Sequence, residues 1–132
     1  MESALPTAAT SRTARGVVAL ARDDGSVICE RCAVADRMLP RMKGLLGRRS
    51  LRAGEGLLIR PAPSIHTFFM RFAIDAVFLG RDGDVLKVAH NIRPWRARSC
   101  RGARAVLELA AGEAKRHGIS YGERLAVAEA EG

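Results

Sequence analysis

The clearest structural signal in the sequence is the stretch IDAVFLGRDGDVLKVA, residues 74–89. Its two apolar runs, 74–79 and 85–89, flank the turn signal Arg81-Asp82-Gly83-Asp84. An Asp-Gly pair readily adopts the positive φ angles that a tight hairpin requires. The stretch therefore predicts two antiparallel β-strands joined by a short turn, and it favours a fold built on sheets.

Similar signals lie on both sides of this hairpin. Upstream, Asp23-Asp24-Gly25 separates the apolar runs 16–21 and 27–35, which predicts a second hairpin. Residues 36–47 predict a short helix, because Asp36 can cap its start, apolar residues recur at helical spacing, and Gly47 suits its end. Further strands are predicted at residues 57–59, 65–72, 105–109 and 123–128, and another short helix at residues 113–117.

These elements predict an α+β, predominantly β fold. Many short strands separated by turns, with only one or two short helices, favour a partly closed, barrel-like sheet. A chain of 132 residues suits one domain. We place a single globular domain at residues 15–128, after a disordered N-terminal tail at residues 1–14 that is rich in Ala, Ser and Thr.

Composition restricts the class of protein and its partners. The hydrophobic fraction of 48% is typical of a globular protein, and no apolar run approaches the roughly 20 residues that span a bilayer. The first 14 residues lack the apolar core of a secretory signal, so we expect a cytoplasmic protein without a membrane partner. The formal net charge of +8 is compatible with a nucleic acid, an anionic lipid or an acidic partner, and equally with arginines on solvated faces.

Two cysteines, Cys29 and Cys32, have the spacing of a metal knuckle or a redox pair. A zinc site would need a second pair of ligands, and the remaining candidates are scattered: Cys100, His66, His90 and His117. The pair also falls in a predicted strand, where residues three apart point to opposite faces. We therefore expect no metal site and two reduced thiols.

The stretch IHTFFMRFAID, residues 65–75, sets ionisable side chains in an apolar run. A strand here would direct His66, Phe68 and Met70 to one face and Thr67, Phe69 and Arg71 to the other. A buried ionisable group needs a partner, and this applies to His66, Asp75 and Glu108. A histidine paired with a carboxylate could transfer protons, bind a polar ligand in an aromatic-lined pocket, or form a structural network.

A basic, irregular connection is predicted at residues 93–104, around Trp95. Its arginines are Arg93, Arg96, Arg98, Arg101 and Arg104. Guanidinium groups bind phosphate in a bidentate manner, and an aromatic ring can stack on a base. A protein that binds single strands usually offers several such rings, whereas this segment has one, so a solvated loop is the competing interpretation.

Seven short motifs occur in a specific order: GLLG at 44–47, GEGLL at 54–58, IHTFFMR at 65–71, IDAVF at 74–78, DG at 82–83, AVLELAAG at 105–112 and GISYGE at 118–123. In this order, which spans about residues 33–127, they resemble the small bacterial and archaeal proteins called domain of unknown function 192 (DUF192). The resemblance implies a small, mainly β fold and no established activity. Met70, Arg71, Asp75 and Glu108 match the family pattern, whereas Phe72-Ala73 replaces an Asn-Thr pair that many members carry.

The leading hypothesis is a non-enzymatic binding module with a pocket near residues 64–81. We expect five ligand-binding residues around it: His66, Met70, Arg71, Asp75 and Glu108. The partner is an unknown small molecule or protein, with no cofactor and no metal, and the oligomeric state is open. Two alternatives are a polyanion- or nucleic-acid-binding protein that uses residues 93–104, and a small hydrolase-like enzyme that uses His66 with Asp75 or Glu108. No nucleophile turn supports the enzyme.

Overall fold

A computed structural model describes residues 17–35, 50–68 and 70–129 of the chain. Nine strands and one short helix lie in these ranges: β1 Val17–Arg22, β2 Val27–Ala35, β3 Glu55–Ile59, β4 Ser64–His66, β5 Ile74–Leu79, β6 Val85–Ile92, β7 Ala97–Ser99, β8 Ala105–Ala110, α1 Glu113–Arg116 and β9 Leu125–Glu129. The predicted tail at residues 1–14 and the predicted helix at residues 36–47 lie outside the described residues. No helix in the described ranges is long and apolar enough to cross a membrane.

Seven of these strands form one sheet in the order β6-β5-β8-β3-β2-β1-β9, and β4 pairs with β7 in a second, two-stranded sheet. The pair β2–β3 is parallel, and the other pairs are antiparallel. The predicted α+β, predominantly β fold is confirmed.

The large sheet is not closed into a barrel. Its two edge strands, β6 and β9, meet near their first residues, at an isolated bridge between Asp84 and Arg124. In the Asp-Gly turn, the backbone of Gly83 packs directly against the backbone of Leu125. The φ of Gly83 is 85°, and a Cβ at this position would overlap the carbonyl oxygen of Leu125. A glycine is required here for both the positive φ and the close packing of two backbones.

Both predicted hairpins are confirmed as the antiparallel pairs β1–β2 and β5–β6. All six residues of β5 are buried, because β5 lies between β6 and β8 and both of its faces are covered. One face belongs to a core cluster with Val77, Leu107 and Ala114, and the other to a cluster with Phe78, Val106 and Ile65. Burial of these apolar side chains is the main term that stabilises the sheet.

The predicted strand at residues 65–72 is wrong beyond His66, where β4 ends. The amide of Met70 donates to the carbonyl oxygen of Thr67, so the chain turns instead of extending. The side chain of Thr67 also bonds to backbone atoms of Arg93 and Arg96. Such side-chain bonds to the backbone compete with a sheet ladder. The alternation expected for a strand is lost: Thr67 and Met70 are buried, whereas Phe68 and Arg71 are exposed.

Candidate functional site

The carboxylate of Asp75 is completely buried and has a structural role. Its Oδ1 atom accepts a hydrogen bond from the amide of Asn91 at 2.8 Å. Its Oδ2 atom accepts from the amides of Gly112 and Ala114, both at 2.9 Å. Asp75 thus joins β5 to β6 and to the start of α1, and its hydrogen bonds go to backbone amides rather than to His66.

A shallow, open concavity lies beside this carboxylate, lined by Asp75, His90, Asn91, Lys115, Gly118 and Ile119 among others. Of the five predicted ligand-binding residues, Asp75 alone contributes to its lining. The concavity belongs to the side of the sheet that α1 covers.

Glu108 is also completely buried, but it lies on the other face of the large sheet. In the β5–β8 pair, Glu108 lies opposite Ala76, and Asp75 lies opposite Leu109. Cross-strand partners share a face and successive residues alternate between faces. Asp75 and Glu108 therefore point away from each other, so no single pocket can contain both.

The other predicted ligand-binding residues are also separated. Met70 is buried in the core cluster on the Glu108 face, whereas Arg71, the next residue, is exposed. His66 lies at the end of β4, half-buried, in the two-stranded sheet. The five residues do not surround one pocket, and their roles in ligand binding stay predictions.

His66 belongs instead to a stack of three aromatic rings. Its ring lies 4.6 Å from that of Phe68, at an interplanar angle of 29°. The Phe68 ring lies 5.7 Å from that of Trp95, at 24°. We call His66, Phe68 and Trp95 the aromatic ladder. Two of its members are large apolar side chains that are well exposed, Phe68 at 39% and Trp95 at 55%.

Thr67 connects the two segments that build the ladder. Its hydroxyl donates to the carbonyl oxygen of Arg93 at 2.7 Å and accepts from the amide of Arg96 at 2.9 Å. Its backbone amide donates to the carbonyl oxygen of Arg96, and its carbonyl oxygen accepts from the amide of Trp95. These bonds hold Trp95 in the left-handed conformation, with φ at 66°. The sequence interpretation missed Thr67, because a threonine in an apolar run is an ordinary strand residue.

The segments that meet at the ladder contain no acidic residue. Residues 56–74 and 85–107 hold eight of the 22 lysines and arginines and none of the 14 aspartates and glutamates. The rest of the chain has 14 basic and 14 acidic residues, so the entire net charge of +8 resides in these two segments. They pair along β4–β7 and, within β3–β8, at Leu58–Leu107 and Ile59–Val106. The acidic residues of β3 and β8, Glu55 and Glu108, lie just outside them. This shared lack of acidic residues is the sequence signal from which a common surface of the two segments could have been predicted.

Three exposed arginines of these segments are close in sequence to residues of the ladder. Arg93 and Arg96 flank Trp95 closely and are exposed, as is Arg71. Within the part of the chain that the structure describes, neither Arg93 nor Arg96 forms an ion pair; one guanidinium nitrogen of Arg96 donates to the carbonyl oxygens of Pro94 and Trp95, both at 3.4 Å. Their positive charge is therefore available to an anion from solution.

The expectation that Cys29 and Cys32 point to opposite faces is wrong. On β1, Val18 and Leu20 are two residues apart, yet they pair with Cys32 and Cys29, which are three apart. The extra residue in β2 forms a β-bulge, where the amides of Glu30 and Arg31 both donate to the carbonyl oxygen of Gly54. Both cysteines consequently enter the same core cluster.

Burial first, and then contact with the neighbouring thiol of Cys29, raise the pKa of Cys32 well above its ordinary value. A protonated thiol is a poor nucleophile and a poor metal ligand. In the described ranges, no group of three or more His, Cys, Asp or Glu side chains is arranged to hold a metal ion.

Comparison with known proteins places the chain in a family. The model of the DUF192 family, whose description reads "Uncharacterized ACR", matches residues 19–127. No curated protein matches the chain. Two similar crystal structures share 27% of their residues with it. One, from Sinorhizobium meliloti 1021, is described as a "putative transcription regulator"; it has a TM-score of 0.71, with 84% of this chain and 92% of that chain covered.

The other is a protein of unknown function from Novosphingobium aromaticivorans DSM 12444, with a TM-score of 0.70 and 83% of each chain covered. The family match extends from β1 to β9 and includes the motifs that carry the resemblance. This chain belongs to the family of domain of unknown function 192.

Proposed function

We propose that this chain is a non-enzymatic binding module that takes up a polyanion on the surface formed by the aromatic ladder, Arg71, Arg93 and Arg96. We call this surface the ladder face. The observation that carries the proposal is the distribution of charge: residues 56–74 and 85–107, which contribute every residue of the face, contain eight basic residues and no acidic one, and three of the eight lie on the face. A surface of one sign attracts ligands of the other sign and speeds their association.

Two further observations support this proposal. The ladder face includes His66 and Arg71 from the predicted pocket and Trp95 from the predicted basic segment, so it unites two surfaces that the sequence suggested separately. In addition, the similar protein from Sinorhizobium meliloti has a description that mentions transcription regulation, and nucleic acids are polyanions.

The test compares two triple variants of equal charge in binding to heparin, a sulphated polyanion. Arg71, Arg93 and Arg96 are changed to Gln in the first variant, and Arg31, Arg52 and Arg124, which are exposed elsewhere, in the second. We expect the unmodified protein to bind at low salt and to lose affinity steeply as salt rises. The first variant should bind at least about tenfold more weakly and the second no more than about threefold.

Two results would overturn the proposal. One is the absence of binding by the unmodified protein even at low salt. The other is an equal loss of affinity in both triple variants, because that result would reflect total charge and not the ladder face.

A further inference from the structure

We infer that the polyanion is a single-stranded nucleic acid, one base of which stacks on the aromatic ladder at Trp95. This inference rests on the proposed function and adds the chemical class of the ligand. It starts from a property that charge does not explain: the ladder face exposes aromatic rings as well as arginines.

The first step concerns the exposure of the rings. Phe68 and Trp95 are among the four large hydrophobic residues that are well exposed in the described ranges, and they lie next to each other. Isolated exposed apolar residues are ordinary, whereas adjacent ones on one patch point to a binding surface. A ligand that contacted only the guanidinium groups would leave both rings in water.

The second step concerns the number and arrangement of the rings. The arginine segment contains a single aromatic residue, Trp95, which by itself is a weak indication of base stacking. The fold adds Phe68 and His66 to it, with the three rings within 30° of parallel at each contact. The rings cover one another's inner faces, so a base can stack on the ladder at its exposed end, which is Trp95. Aromatic side chains bind unpaired bases by such stacking.

The third step concerns rigidity. The loop that carries Trp95 is held by hydrogen bonds from both the side chain and the backbone of Thr67, which is completely buried. A surface that is already ordered loses little conformational entropy when it binds. The ladder is therefore prepared for a planar ligand before the ligand arrives.

The fourth step separates single strands from other polyanions. In a duplex, the flat faces of the bases are covered by their neighbours, and only phosphates and groove edges are accessible. Heparin has no aromatic ring. An unpaired strand alone among these offers both an accessible base for the indole and phosphates for the arginines.

The test uses the intrinsic fluorescence of Trp95, which is the single tryptophan of the chain. The unmodified protein is titrated with a twelve-nucleotide oligothymidylate, with a DNA duplex of the same length and with heparin. We expect the single strand to quench the fluorescence of Trp95 strongly, because a base stacks on the indole. The duplex and heparin should bind more weakly or with little quenching.

Variants then test whether the rings contribute affinity. Phe68→Leu removes the ring on which Trp95 is stacked, and Trp95→Ala removes the indole. Each should weaken binding of the single strand by about tenfold and that of heparin by no more than about threefold, because a sulphate group gains little from an aromatic ring. Tyr121→Ala is the matched control, because Tyr121 is an aromatic residue with 79% exposure outside the ladder face. It should bind both ligands like the unmodified protein.

The outcomes distinguish this inference from the proposed function. Equal affinities for the single strand, the duplex and heparin, with an unchanged Trp95 signal and no effect of Phe68→Leu, would overturn the inference and leave polyanion binding intact. Failure of all three ligands to bind at low salt would overturn both.

Discussion

The ladder face and the surroundings of Asp75 differ in the burial and hydrogen bonding of their side chains. The buried carboxylate of Asp75 accepts hydrogen bonds from three backbone amides, so the carboxylate and the amides all have hydrogen-bond partners within the fold. On the ladder face, large rings and arginines remain exposed to water. A buried polar group must be satisfied for the protein to be stable, whereas an exposed group is under no such demand.

The end of the sheet near β9 resembles the Asp75 region. There Glu123 accepts from the side chain of Arg22 at 2.7 Å and from the amide of Ser120 at 2.9 Å. Nearby, Glu113 pairs with Arg116 at 2.8 Å. The side-chain bond from Arg22 lowers the pKa of Glu123, and the bond from Arg116 lowers that of Glu113. The bonds of Asp75, Glu123 and Glu113 stabilise the fold, whereas the proposed function assigns binding to the ladder face, and the following substitutions test that division.

Asp75→Ala should have the largest effect on stability. It removes the acceptor of three amides, at least one of them buried, and we expect the free energy of unfolding to fall by about 3–5 kcal/mol. Denaturation by urea measures this change. Asp82→Ala, in an exposed turn, should alter stability by less than about 0.5 kcal/mol. A loss below about 1 kcal/mol for Asp75→Ala would show that water replaces the carboxylate and that the region is not a structural junction.

Thr67→Val should have the second largest effect, because it keeps the shape and removes the hydroxyl. The carbonyl oxygen of Arg93 and the amide of Arg96 would lose their partner, at a cost of about 1–3 kcal/mol in the free energy of unfolding. The emission of Trp95 should also shift as the loop loosens. Thr67→Ser retains the hydroxyl and should preserve both the stability, to within about 1 kcal/mol, and the emission spectrum. Equal losses in the two variants would assign the role to the methyl group instead.

Glu123→Gln should lower stability by about 1 kcal/mol at pH 7, with a dependence on pH that has a definite sign. The pKa of Glu123 is lowered in the folded protein from its ordinary value of 4.5. Its ionised form therefore stabilises the fold above about pH 4.5, and this contribution is lost as the pH falls through the lowered pKa.

Urea denaturation at pH 7, 5 and 3 should accordingly show the unmodified protein and Glu123→Gln converging in acid. The matched control is Asp82→Asn, at an exposed position, which should run parallel to the unmodified protein. A constant difference across this range would indicate that the bond with Arg22 does not depend on the charge of Glu123.

Trp95→Ala should lower the free energy of unfolding by less than about 2 kcal/mol, well short of the effect of Asp75→Ala, because the indole is more than half exposed. Thermal melting of the variant measures this. Asp75→Ala and Trp95→Ala should therefore have opposite effects: the first should lower stability, and the second should lower affinity for the ligand. A large loss of stability in Trp95→Ala would make the aromatic ladder part of the core.

Much of the fold was predictable because its signals are local. The Asp-Gly turns lie between apolar runs and mark both hairpins, and the buried strand β8 follows from its apolar sequence. The predicted candidate site was less accurate. Asp75 and Glu108 were both predicted to bind a ligand, because each is an ionisable residue in an apolar strand. Whether they lie on the same face of the sheet depends on the register of β5 against β8. A bulge in β2 likewise reversed the expected orientation of Cys29 relative to Cys32.

The amino-acid sequence by itself determined the hairpins, the class of fold, the family and the concentration of positive charge in two segments without acids. Only the tertiary structure decided that these segments meet and that His66, Phe68 and Trp95 form one row. The physical reason is the range of the interactions: the hydroxyl of Thr67 bonds to residues 26 and 29 positions away. No local pattern encodes such a pairing, because it exists only after the strands between have folded and brought the two backbones together.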